Sequence, residues 1–315
     1  MAPRTKDAPP PTVPCAYLNR FVTRADGRLR AYPTTGGRCR CIAAATHGYT
    51  TYRCPPVWQE RGATATALNA WLNEPELWGP GLLACLPGTL ERPAMRELLS
   101  LYLGMILVRQ PQPVVDGQRH EQLLVQELLE QLLAHVSRLT AAGKADPQLL
   151  ARVERIMDAT FDQASKTDPP QYPTGRWGVR LRAAAEYFAT RLMQMHWLVL
   201  QAPAGEHFVT SDNPIVIGRH DATTQQFVPA TLHDPEVTVA VPLSHKLVLW
   251  AHRHAKRGVS FGAVSANEVA GSNYHMARTA RRWIYSPVRS QKIQRLREMA
   301  RTADDHPGLA QAVAS

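Results

Sequence analysis

The spacing of apolar residues along this chain changes character near residue 205. From 64 to 200 it is mostly helical. Glu91–Arg109 is apolar on nearly every side, which predicts a central helix. Gln118–Leu139 is amphipathic: Leu124, Val125, Leu128, Leu132 and Val136 share a face, with Glu121, Glu127 and Glu130 largely opposite. Pro147 suits the first turn of a further helix, through about Phe161. The prolines and glycine of Thr167–Gly175 mark a loop. Trp177–Leu200 reads as one long helix, with Leu181, Ala184, Ala185, Phe188, Leu192, Met195 and Val199 along one side. Beyond Gly205 the period becomes strand-like. Phe208–Ile217 reads as a strand on each side of a polar knot, Thr210 to Pro214; Val237–Pro242 and Lys246–His252 follow. Ser265 is a good N-cap for a helix over Ala266–Thr279, Trp283–Tyr285 is a short strand, and Ser290–Arg301 is a last helix with Ile293, Leu296 and Ala300 inward. Ahead of the helical block, Tyr17–Tyr52 reads as short strands and turns. Leu29–Tyr32 is a strand after Asp26-Gly27, and Thr34–Gly37 is the next turn.

Helices in one block and strands mostly in another predict an α+β fold. The helical middle block is expected to pack against a mixed or antiparallel sheet formed by N-terminal and C-terminal strands. The expected organisation is a disordered Pro-rich arm over 1–14, a single domain over 15–301 and a frayed tail over 302–315. Within the domain the helical block spans about 64–200, the sheet region about 206–288 and the final helix about 289–301.

Composition narrows the class. Of 315 residues, 44% are hydrophobic and 20% charged, which suits a globular chain. The longest apolar run, Leu98–Val108, falls short of the ~20 residues a membrane span needs. The first residues lack an apolar signal region, so the expected location is the cytoplasm. Five cysteines make an odd count and no disulfide framework. Cys15, Cys39, Cys41 and Cys54 gather around His47, but Cys39-x-Cys41 is tighter than a zinc knuckle, so they read as reduced thiols with no metal and no cofactor.

Charge adds a partner. The formal charge is +10, and from Met276 to Arg301 eight Arg or Lys face one acid, Glu298. Arg278, Arg281, Arg282, Arg289, Lys292 and Arg295 would form a basic C-terminal face, joined by Arg253, Lys256 and Arg257 from the HRHAKR segment, 252–257, read as a hairpin tip. Such a field attracts polyanions, nucleic acid first. The plainer reading is an arginine-rich surface without a partner.

The polar knot supplies the catalytic candidates. Asp212, flanked by Ser211 and Asn213, is placed to act as base, metal ligand or substrate anchor, or else as an Asx-turn that caps backbone N–H groups. Asn267, Asn273 and Arg109 are supporting candidates. A buried Asn that satisfies loop carbonyls, and an Arg that caps its own helix, are their structural readings. His252 and His254 would share a strand face if that strand persists, which is feasible for metal binding. There is no P-loop, Rossmann glycine pattern, G-x-S-x-G or H-E-x-x-H.

Several motifs, in order, carry a resemblance. They are Val13-Pro14-x-x-Tyr17-Leu18-x-x-Phe21, Gly27-x-Leu29-x-x-Tyr32, Arg109-x-Pro111, Trp197, Phe208-x-Thr210-Ser211-Asp212-Asn213-Pro214, Pro242-Leu243-Ser244, and Asn267-x(5)-Asn273. Together they resemble the bacterial "domain of unknown function 4238" family. The resemblance implies a His-His pair ahead of Val13, where this chain has Pro10 and Pro11. A metal or general-base role for that pair would be lost here.

Three functional readings follow. The first is a binding or accessory protein that contacts nucleic acid through its basic face. The second is a nuclease-like hydrolase with Asp212 as acid/base or metal ligand, the only reading that calls for a divalent metal. The third is a module for a small molecule or protein partner.

Overall fold

The computed structural model describes residues 13–23, 27–44, 63–109, 177–221, 226–254 and 257–302. They belong to one compact unit built from residues 1–110 and 177–315. The elements, in order, are α1 (Cys15–Asn19), β1 (Arg28–Pro33), β2 (Arg40–Ala43), α2 (Ala63–Ala84), α3 (Pro93–Val108), α4 (Trp177–Met193), β3 (His196–Gln201), β4 (Thr210–Ser211), β5 (Val216–Asp221), β6 (Gln226–Pro229), β7 (Thr238–Pro242), β8 (Leu247–His252), β9 (Gly258–Ala263), α5 (Ala266–Thr279), β10 (Trp283–Ser286) and α6 (Gln291–Thr302). The fold is α+β. The expected helices over Gln118–Leu139 and from Pro147, the 167–175 loop and Pro10–Pro11 lie outside the described residues.

The strands form two sheets. A four-stranded sheet runs β2-β1-β10-β4, and a six-stranded one runs β6-β5-β7-β8-β3-β9. The N-terminal strands do pair with a C-terminal strand, Ala31 opposite Tyr285. They do so in the small sheet, while the other C-terminal strands build the large one. Every pairing is antiparallel except β3 with β9.

Alternation explains the large sheet's core. Trp197 and Val199 on β3, Val239 and Val241 on β7, and Leu249 and Ala251 on β8 are all buried and share one cluster with Leu99, Leu103 and Ile106 of α3 and Phe188 and Leu192 of α4. Burying a Leu- or Phe-sized side chain stabilises by about 1.5–3 kcal/mol, so this shared core dominates the fold. α3 and α4 approach closely because Gly104 has no Cβ; one built there would strike the backbone oxygen of Ala185. A second cluster, with Val209, Tyr274, Met276, Ile284, Ile293 and Leu296, packs α5 and α6 against the small sheet.

Three expectations need correction. Trp177–Leu200 is not one helix: α4 stops at Met193 and β3 begins at His196. The Leu192 carbonyl, at the end of α4, accepts from Met195 N at 3.1 Å and from the Trp197 indole N–H at 2.8 Å, and Leu198 to Leu200 take sheet partners on both sides. Tyr17 and Leu18, expected in a strand region, sit in the short helix α1. HRHAKR is not a hairpin tip, because β8 and β9 are not neighbours; β3 lies between them. Phe208–Ile217 is also less regular than its composition suggests. β4 is two residues long in the small sheet, while β5 starts at Val216 in the large one.

Candidate functional site

The 207–214 segment crosses from one sheet to the other, and nearly every polar group in it is bonded. Asn273, 5% exposed on α5, acts as a strand partner. Its carbonyl accepts from Val209 N at 2.8 Å and its amide donates to His207 O at 2.9 Å. Asn267, on the first turn of the same helix, is exposed. Ser211 Oγ donates to Asn213 O at 2.8 Å and accepts from Asn213 N at 3.0 Å, a local turn closed by its own side chain. Asn213 Nδ2 donates to Thr279 O, one of the carbonyls left open at the end of α5.

Asp212 is 7% exposed. Its Oδ1 accepts from Arg281 N and its Oδ2 from Arg282 N, each at 2.9 Å. Its own N–H donates to Trp283 O at 3.1 Å. The carboxylate therefore holds the turn between α5 and β10. Burial raises its pKa above the ordinary carboxylate value, against the lowering effect of the bonds from the 281–282 amides.

The N-terminal motif meets the same segment. The Tyr17 hydroxyl donates to Pro242 O, at the end of β7, and lies 3.0 Å from Thr210 Oγ1. A phenol has one proton, so Thr210 is the donor in the second bond. Arg20 O accepts from both the N–H and Nδ1 of His245, and His245 O accepts from Phe208 N at 2.9 Å. Ser244 Oγ accepts from Lys246 N and Leu247 N, closing the β7–β8 turn. The residues around 17, 210, 242–245 and 273, distant in sequence, are thus one hydrogen-bonded cluster that locks the two sheets together.

The basic candidates divide into two places. Arg278, Arg282, Arg289, Lys292 and Arg295 are exposed and Arg281 is half-buried, along the end of α5, the turn and α6. Lys292 Nζ lies 2.6 Å from Glu206 Oε1. Arg253 and Arg257 are exposed beside the large sheet, with Arg253 donating to Leu232 O; Lys256 lies outside the described residues. Two members of the small sheet's basic surroundings were missed. Arg30 flanks Cys39 together with Arg289, and the Arg40 guanidinium sits 5.5 Å over the Trp283 ring. The alternating Arg28-x-Arg30 of a strand with one dry face was the available signal. Arg297, counted in the basic run, is instead buried and donates to Gly37 O at 2.9 Å.

Arg109 is buried at the end of α3, 3.7 Å from Glu76 on α2. Glu76 also accepts from Cys15 N at the start of α1. This ion pair ties three helices, and Glu76 carried no sequence signal. The His252 ring lies 5.5 Å from His196, its cross-strand partner, and 6.1 Å from His254. Burial holds His252 below the ordinary histidine value, followed by the charges of His196 and His254. Among the described residues no group of three or more His, Cys, Asp or Glu is arranged to hold a metal ion. Nor is any helix among them long and apolar enough to cross a membrane.

Residues 89–290 match a family model described as a protein of unknown function (DUF4238). No curated protein matches the chain, and no solved structure does.

Proposed function

The chain belongs to the family of proteins of unknown function DUF4238, and we propose that it is a binding protein that contacts nucleic acid through the α5–β10–α6 face. One observation carries this reading. The cations Arg278, Arg282, Arg289, Lys292 and Arg295 face solvent, whereas both oxygens of Asp212 are engaged by backbone amides. A net charge of +10 adds a long-range attraction for polyanions. Arg40 over Trp283 places an aromatic ring within the same basic surroundings, where a base could stack. Phosphate contacts would dominate, so affinity falls steeply with salt.

Electrophoretic mobility of single- and double-stranded DNA and RNA across a salt series tests it. Replacing Arg289, Lys292 and Arg295 together by Gln should weaken the shift at every salt concentration. With three phosphate contacts removed, the salt slope should drop by roughly 2–3. The absence of any shift at low salt overturns the reading.

The raised pKa of Asp212, beside Ser211, favours a second reading: a hydrolase in which that carboxyl is the acid/base. Incubation of nucleic acid with several divalent metals, with wild type and an Asp212→Ala variant whose circular dichroism matches wild type, separates the two. Cleavage that survives the substitution excludes the hydrolase role.

A further inference from the structure

The strand edges of the two sheets differ in how they are protected. β6 is four residues long and ends in Pro229. β2 is four residues long and begins with Arg40. β4 has two residues. Brevity, charge and proline are the usual means by which sheets close their edges to other chains. β9 has none of them. Its six residues, Gly258-Val-Ser-Phe-Gly-Ala263, carry no charge and no proline, and among the described residues they pair on one side only, with β3. Phe261, Gly262 and Ala263 are exposed. Phe261 shows 47% of its surface, and it is the sole aromatic among the exposed large hydrophobic residues described.

We propose that β9 is a homodimerisation edge, pairing antiparallel with β9 of a second copy of this chain. A twofold axis perpendicular to the sheet keeps each side chain on its own face, so the register must be centred on a residue. Centring on Phe261 sets the two Phe261 rings together and Val259 against Ala263 of the second copy. Aromatic and β-branched cross-strand contacts of this kind stabilise a pairing. The same register brings Arg257 against Ser265 of the second copy, three residues from its Glu268. Arg257 and Glu268 are both exposed, so opposite charges meet at each end of the ribbon. The two large sheets become one continuous sheet, and both apolar edges are covered. The charge of +10 on each copy opposes the approach, so salt strengthens the dimer while it weakens nucleic-acid binding.

The test is sedimentation of the full chain, without nucleic acid, over rising concentration in high salt. The expected species is a dimer, at least tenfold weaker in Phe261→Lys, whose circular dichroism should match wild type because the side chain is half-exposed. With the exposed Cys41 and Cys85 replaced by Ser, Phe261→Cys should give a disulfide-linked dimer on mild oxidation, and Leu98→Cys, at an exposed site on α3, should not. Three outcomes overturn the proposal: a monomer at every concentration, a dimer whose affinity is unaltered by Phe261→Lys and that fails to cross-link at 261, or an open-ended fibre instead of a closed pair.

Discussion

At the scale of single residues, the polar positions of the family motif mostly bond to backbone. Removing the Asp212 carboxylate strands two part-buried N–H groups, where a fully buried one left unsatisfied costs about 1–3 kcal/mol. Asp212→Ala should therefore destabilise by roughly 1–3 kcal/mol, with Asp212→Asn intermediate, as read from urea midpoints. The sequence showed that something was concentrated at Thr210–Pro214. It could not show which way the carboxylate points, since an Asx-turn and an active-site loop need the same residues at the same spacing. His275 was legible only as one of several histidines. Burial, then the charges of Arg278 and His220, lowers its pKa to about 4, and its ring lies 5.0 Å from that of Phe227. The folded chain keeps this ring neutral where the unfolded chain would protonate it. The site is therefore neutral in effect above about pH 6.5 and costs stability progressively as pH falls from there to about 4, reaching roughly 2–3 kcal/mol. Thermal unfolding between pH 7 and 4 should show this loss in wild type and less of it in His275→Gln.

At the scale of elements, local chemistry was readable where it sufficed by itself. Ser265 accepts from Glu268 N, and Glu268 Oε2 accepts from Ser265 N at 2.7 Å, a reciprocal capping box that starts α5 at the expected residue. Ser265→Ala should cost about 1 kcal/mol in chemical denaturation. These bonds to Ser265 also hold the Glu268 carboxyl below its ordinary pKa. The cap's contribution is then present above the ordinary carboxylate range and lost as pH falls through the depressed value. Where two elements competed for the same residues, pattern alone failed. Met195 and Val199 suit the face of a helix at their spacing from Leu192, while Trp197 and Val199 suit a buried strand. The competition is settled by partners at Leu247–His252 and Gly258–Ala263, far along the chain, and a local period contains no information about those. The HRHAKR segment failed for the same reason. Two strands joined by a short link look like a hairpin until a third strand takes the place between them.

For the whole molecule, the decisive feature is the bonded cluster between sheets. Tyr17→Phe keeps the ring buried but deprives Pro242 O of its donor and Thr210 of its acceptor. A loss of about 1–3 kcal/mol is expected. Hydrogen exchange should show β4, β7 and α1 opening together more often, while α6 is unaffected. The α+β class was legible from the change of period. The existence of two sheets was not, because a polar knot between two apolar stretches reads the same whether they join one sheet or two. The small sheet has a consequence for how the chain is made. β1 lies between β2 and β10, so its inner edge is satisfied only by residues 283–286. On the ribosome, Arg28–Pro33 must wait while some two hundred and fifty further residues are synthesised. Throughout that interval an early hairpin carries an unpaired edge, the state in which nascent chains are most exposed to wrong partners. The arginines at 28, 30 and 40 give this waiting hairpin the charge that keeps such an edge from pairing with another chain.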